Sequence, residues 1–169
     1  VTIWPFANWD QDLCNADKLE AVGMFPGMGT HLYSPCNKEA YADWLTAAVE
    51  RYDGDGEDDM PGLKYPIRHW EVLNEPEMQG PELTFYQEDP QYYLELLKLS
   101  YRAIKSADSD AVVLLGGQAG MQSKFVDYWQ PILRGAAGYF DVGNIHSISS
   151  IDLDFFASEY RDFLNDNNF

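Results

Sequence analysis

The run Tyr65-Pro66-Ile67-Arg68-His69-Trp70-Glu71-Val72-Leu73-Asn74-Glu75-Pro76 holds the residues best placed to do chemistry. A proline opens it and aromatic and β-branched residues give it strand character. Pro76 cannot donate to a ladder, so the strand is expected to end at or just before Glu75. Alternation assigns Ile67, His69, Glu71 and Leu73 to one face and Arg68, Trp70 and Val72 to the other. α/β folds put reactive groups at the C-terminal ends of strands, which singles out Glu75; the competing reading is an exposed glutamate in a surface loop. A second group of carboxylates lies upstream, in Asp53-Gly-Asp-Gly-Glu-Asp-Asp59. Acids alternating with glycines let oxygens converge on a hard cation, so Asp53, Asp55, Glu57 and Asp59 are candidate ligands of a structural Ca2+. The spacing is not that of an EF-hand, and a solvated acidic turn explains the same residues.

These groups need elements to position them. Thr2 to Ala7 has strand character and runs into a long irregular stretch ending near Cys36, with Gly23, Pro26, Gly27 and Gly29. Loops of that length inside a compact domain are usually binding loops or lids. From about Lys38 to Tyr52, Tyr41, Trp44, Leu45, Ala48, Val49 and Tyr52 recur at helical spacing and mark one buried stripe. Asp89-Pro90 is an N-cap and first-turn pair for a helix burying Tyr93, Leu96, Leu97, Ser100, Tyr101 and Ile104. Ala111 to Leu115 is a continuous apolar run, as in a parallel strand covered on both faces, and Gly116-Gly117 stops it. Ser123 is placed to cap a helix carrying Phe125, Tyr128, Trp129, Ile132 and Leu133. Phe140 to Ile148 is the next expected strand, followed by a helix from about Asp154 to Leu164.

Strand and helix therefore alternate, which predicts an α/β protein with a parallel sheet and right-handed crossovers. No glycine-rich phosphate loop follows a strand, which favours part of a barrel over an open dinucleotide-binding sheet. With 169 residues, 46% of them apolar, the chain can build one domain with a core. A net charge of −17 argues against nucleic acid or an anionic membrane as partner and suits a neutral substrate or cations. No long apolar run is present. The chain opens on Val1 and not on a start methionine, so its native N-terminus is expected upstream and localisation cannot be read from the lack of a signal. Cys14 and Cys36 flank the long loop; a disulfide would suit an extracellular protein, and two unrelated buried thiols are the alternative.

At Trp70-Glu71-Val72-Leu73-Asn74-Glu75-Pro76 the chain resembles the fourth strand of the clan A glycoside hydrolases, retaining enzymes on (β/α)8 barrels, with a flavour of the family-39 branch. Val112 to Gly117 resembles strand five, and Phe140-Asp-Val-Gly-Asn-Ile-His146 resembles strand six. Ile148 stands where several members carry a tyrosine. The resemblance covers roughly residues 1–165 and treats the whole chain, 1–169, as a partial barrel of about strands three to six with their helices. It implies that Glu75 is the general acid/base and that Asn74 binds a sugar 2-hydroxyl.

Retaining hydrolysis needs two carboxylates about 5 Å apart, one protonating the leaving oxygen and one attacking the anomeric carbon. It requires no cofactor. In the clan the nucleophile ends strand seven, beyond what is expected here; Glu159, within the last helical pattern, is a poor substitute, and Glu77, Glu82 and Glu88 lie in the loop just after the acid/base. The chain is thus expected to be a fragment of a longer glycosidase, inactive alone and inclined to pair with the remaining barrel half or a second copy. The alternative is a carbohydrate-binding or scaffold barrel without catalysis. Glu71, buried near Glu75, either raises the acid's pKa or pairs structurally with Arg68 or His69. Trp4, Asn8 and Trp9 close the first strand and, with His146, are candidate contacts for a glycoside or oligosaccharide, although the tryptophans also suit a core under the long loop.

Overall fold

The computed structural model describes residues 1–21, 31–146 and 153–169, and side chains of the last segment from Phe156 onward. Its elements run β1 (Thr2–Ile3), α1 (Asn8–Cys14), α2 (Lys38–Glu50), β2 (His69–Val72), α3 (Pro90–Ala107), β3 (Val112–Leu114), α4 (Ser123–Leu133) and α5 (Leu153–Asp166). The three strands form one parallel sheet in the order β1-β2-β3. Thr2 is in register with Glu71, and Glu71 with Leu114. Past β3, parallel bridges Leu114–Val142 and Gln118–Ile145 seat the segment before His146 along the next edge. The expected strand from Phe140 is reduced to these two bridges within the described residues, and its last positions, Ser147 and Ile148, lie outside them.

Helices cover one face of the sheet. Trp70 and Val72 of β2 join Tyr41, Leu45 and Val49 of α2, Tyr93, Leu97 and Ile104 of α3 and Trp129 and Ile132 of α4 in the core. The apolar spacing of these helices therefore does what periodicity predicts, with one exception. Trp44 lies in the α2 stripe yet is 52% exposed. Asn37 caps α2 by accepting from the Ala40 N–H at 3.0 Å. Asp89 precedes Pro90 as expected but makes no side-chain cap bond, and α4 is preceded by Gln122, with Ser123 already inside it. No helix among the described residues is long and apolar enough to cross a membrane.

The irregular stretch predicted after β1 contains α1. Its inward residues are Asp10 and Gln11 and not apolar ones, so it carries no hydrophobic stripe to be read. The Asp10 carboxylate accepts the Cys36 and Asn37 backbone N–H groups at 2.8 and 2.9 Å. Gln11 bridges to Tyr33 and Asn15. A Cys14–Cys36 disulfide ties the two ends of the loop together. Residues 22–30, which include the predicted loop glycines, lie outside the described residues.

Candidate active site

Alternation along β2 aims Glu71 away from the helices, into the face shared with Thr2 and the ends of the following strands. There its carboxylate collects four polar contacts from three segments. Oε2 accepts from Thr2 Oγ1 at 2.6 Å. Oε1 accepts from Gly117 N at 3.0 Å and Asn144 Nδ2 at 2.7 Å, and lies 3.3 Å from His146 Nε2. Arg68 pairs instead with Asp108 at 2.7 Å, so the alternative partner expected for Glu71 is taken.

The alternation stops at Val72. Leu73 and Glu75 take positive φ values of 64° and 44°, a conformation that side-chain-bearing residues adopt only when held. What holds them is visible. Leu73 N donates to Ile3 O, Asn74 bridges Gly117, and Glu75 N donates to Gly117 O at 3.1 Å. Leu73 is thereby sunk in the core and does not continue the Glu71 face, and the ladder ends two residues earlier than Pro76 alone dictates.

The Glu75 carboxyl, half-buried, is 3.1 Å from His146 Nδ1 through Oε1. No hydrogen bond from a described residue reaches its Oε2, and the half-buried Asn74 side chain likewise makes none. His146 is thus strung between Glu75 and Glu71, with Asn144 Nδ2 3.3 Å from its Nε2. A Cβ at Gly117 would run into the His146 ring, so glycine is required for this approach. Asn144 was absent from the residues predicted by sequence; its spacing of two from His146, which puts both on one strand face, was the available signal.

Glu77 follows within the same turn and is 7% exposed. Its Oε1 accepts the Ala119 N–H at 2.5 Å, and neither its Oε2 nor the Trp129 indole Nε1 has a hydrogen-bond partner of good geometry. Burial pushes the Glu77 carboxyl up to about 7, with the Glu75 charge adding to the shift and backbone donors and the Trp129 indole opposing it. Burial likewise raises the hydroxyls of Tyr93, Tyr128 and Tyr160, all of which feel the Glu77 charge.

Trp4 and Trp9 share a pocket. With Phe6, Asp10, Tyr41 and Trp44 they line a pocket of about 370 Å³ beside the first turns of α2, and Glu75, Asn74 and His146 are not among its walls. Trp9 is 67% exposed; Asn8 is also exposed and does not line the pocket.

In the acidic loop, carboxylate oxygens of Asp53, Asp55 and Asp59 lie within 4.8 Å of one another, as do those of Glu50, Asp55 and Glu57. The aspartates already cap their own loop. Asp59 accepts from Gly54 N and Gly56 N, both at 2.9 Å, Asp53 from Asp55 N at 3.2 Å, and Asp55 from Glu57 N at 2.8 Å. Burial foremost, then the neighbouring acids, raises the Asp53 carboxyl, while the Asp55 N–H opposes the shift.

No protein-family model matches the chain, and no curated protein matches it in sequence. Among solved structures, it is similar to a glucosidase from Croceicoccus marinus, with a TM-score of 0.68 and 16% identity over 82% of this chain. It is also similar to AbfB, a family 51 α-L-arabinofuranosidase from Bifidobacterium longum, with a TM-score of 0.51 and 19% identity over 83% of this chain. The chain spans 30% and 32% of those two chains, respectively. What it shares with them at such identities is the fold.

Proposed function

We propose that the chain is the central part of a (β/α)8 barrel belonging to a retaining glycoside hydrolase, with Glu75 as the general acid/base acting on O-glycosyl bonds. The observation that carries the reading is the position of Glu75. It follows a parallel strand in a held left-handed turn, 3.1 Å from His146 and with one carboxyl oxygen unengaged by any described residue. A proton-transfer group needs such a fixed carboxyl with an oxygen left for the substrate. The fold likeness to two glycosidases supports it.

In this reading, protonated Glu75 gives its proton to the departing glycosidic oxygen. As a carboxylate it then takes a proton from the water that releases the glycosyl-enzyme intermediate. Asn74, whose amide is unengaged by described residues, would hold the sugar hydroxyl beside the scissile bond. His146 fixes the Glu75 carboxyl through Nδ1. The attacking carboxylate would come from a strand outside these 169 residues. Glu71 is a poor nucleophile because Thr2, Gly117 and Asn144 already donate to its carboxylate and the His146 ring lies against it, and Glu77 is turned into the core. Trp4 and Trp9 would serve a more distant part of an oligosaccharide, across the pocket that they line with Trp44.

The test is hydrolysis of aryl glycosides by the protein with its remaining barrel strands. Glu75→Ala should lower kcat by about 10²–10⁴-fold on substrates with poor leaving groups. With an activated leaving group, azide should restore turnover, because it attacks the intermediate without base assistance. Sugar binding without turnover by the wild type would instead favour the carbohydrate-binding alternative. Turnover that survives Glu75→Ala unchanged would exclude the proposed role.

A further inference from the structure

The turn after β3 is the seat of the candidate site. Gly117 O accepts from Glu75 N, and Gly117 N donates to Glu71. Gln118 O accepts from His146 N, and Gln118 N donates to Asn144 O. One short segment therefore places both members of the Glu75–His146 pair. The next residue, Ala119, donates its N–H to Glu77, which lies two residues beyond Glu75 on the other side of the same junction.

We propose that Glu77 is a proton-responsive positioning residue, whose carboxyl clamps the left-handed Glu75 turn to the Gly117–Ala119 turn and so sets where Glu75 and His146 meet. A buried, single-anchored carboxyl is an expensive way to make one hydrogen bond, since the cost of desolvating an acid exceeds what a neutral donor–acceptor pair returns. An amide or hydroxyl could accept from Ala119 equally well. A carboxyl adds a charge that can be switched. Glu77 titrates near 7, and the groups facing it are Glu75 on its own turn, Tyr93 on α3, Tyr128 on α4 and Tyr160 on α5. The three tyrosines are held neutral by burial, so the switchable charge at this junction is that of Glu77. Ionised Glu77 is the stronger acceptor for the Ala119 N–H and for the Trp129 indole, whose Nε1 is otherwise unsatisfied. Raising the pH through 7 is thus expected to tighten the clamp from both sides.

The kinetic arm of the test rests on the glycosidase reading; the spectroscopic arm does not. In the wild type the Trp129 indole N–H resonance should move with a midpoint near pH 7, and Glu77→Gln, which keeps the shape and removes the charge, should abolish the step. The His146 ring signals should shift in Glu77→Ala and return toward wild type in Glu77→Gln. On an aryl glycoside, Glu77→Ala should lower kcat by about 10–100-fold with KM little changed, as expected when a reacting group is displaced. An indole step that is missing in the wild type or persists in Glu77→Gln overturns the proposal. So do unchanged His146 signals in a folded Glu77→Ala. If Glu77→Ala does not fold, the Glu77→Gln titration decides alone. A protein without glycosidase activity that still gives the expected indole and His146 shifts would remove the glycosidase reading and keep the clamp.

Discussion

Asn74 is bracketed by Leu73 and Glu75, each in the left-handed region at a cost of about 1–3 kcal/mol. Backbone bonds to Ile3 and Gly117 hold that strain, and the result is that Asn74 and Glu75 leave the sheet where an extended strand would have carried them on. The residue that follows this turn inward also has a thermodynamic signature. Glu77 has a folded pKa of about 7 against 4.5 for the ordinary group, so the native state keeps a proton that the unfolded chain releases between those values. Its contribution is therefore most favourable below about pH 4.5 and is lost as pH rises to 7, by an amount on the order of 3 kcal/mol. Denaturant titrations should find Glu77→Gln gaining on the wild type as pH rises from 5 to 8. Parallel stability–pH curves would contradict that burial. The sequence singles out Glu75 by its place beside Pro76, whereas nothing local distinguishes Glu77 from other loop acids, because its burial is set by α4 and the Ala119 turn, over forty residues away.

At the level of elements, the apolar stripes of α2, α3 and α4 were readable because their cores are built from same-face side chains of the same helix. α1 inverts that rule. It is anchored by Asp10 and Gln11 and by the Cys14–Cys36 bond, whose closure of a 22-residue separation removes about 3 kcal/mol of unfolded-chain entropy. Asp10→Ala removes the acceptor for two backbone N–H groups just ahead of α2 and should lower stability by about 1–3 kcal/mol, measurable as an earlier unfolding midpoint. The acidic loop is the other element whose meaning depends on context. Its aspartates accept four internal N–H bonds, which supports the turn reading, and a structural calcium remains a separate proposal. Calcium should then raise the melting temperature, and Asp55→Ala should erase the gain. An unchanged melting temperature on adding calcium would leave the loop as a self-capped turn.

On the scale of the molecule, the sheet pairs β1 to β2 on one side, and no described strand lies against the other edge of β1. Exposed parallel edges invite pairing, while a net charge of −17 on each copy opposes it. The 169-residue chain by itself should therefore self-associate more as salt screens that repulsion, seen as a shift of its size-exclusion peak between low and high ionic strength. A salt-independent monomer would count against open edges as the dominant surface.

Local pattern alone determined the succession of strands and helices, the parallel character of the sheet and the prominence of Glu75, because periodicity, proline and glycine act over a few residues. Tertiary structure decided which groups meet. Glu71 gathers Thr2, Gly117, Asn144 and His146 from positions up to 75 residues distant, since parallel strands bring their equivalent ends together whatever the length of chain between them. The same packing gathered Trp4, Trp9 and Trp44 around one pocket, drove Glu77 into the core and pulled α1 inward on its polar side. Those outcomes depend on contacts between distant segments, and no window of neighbouring residues contains them.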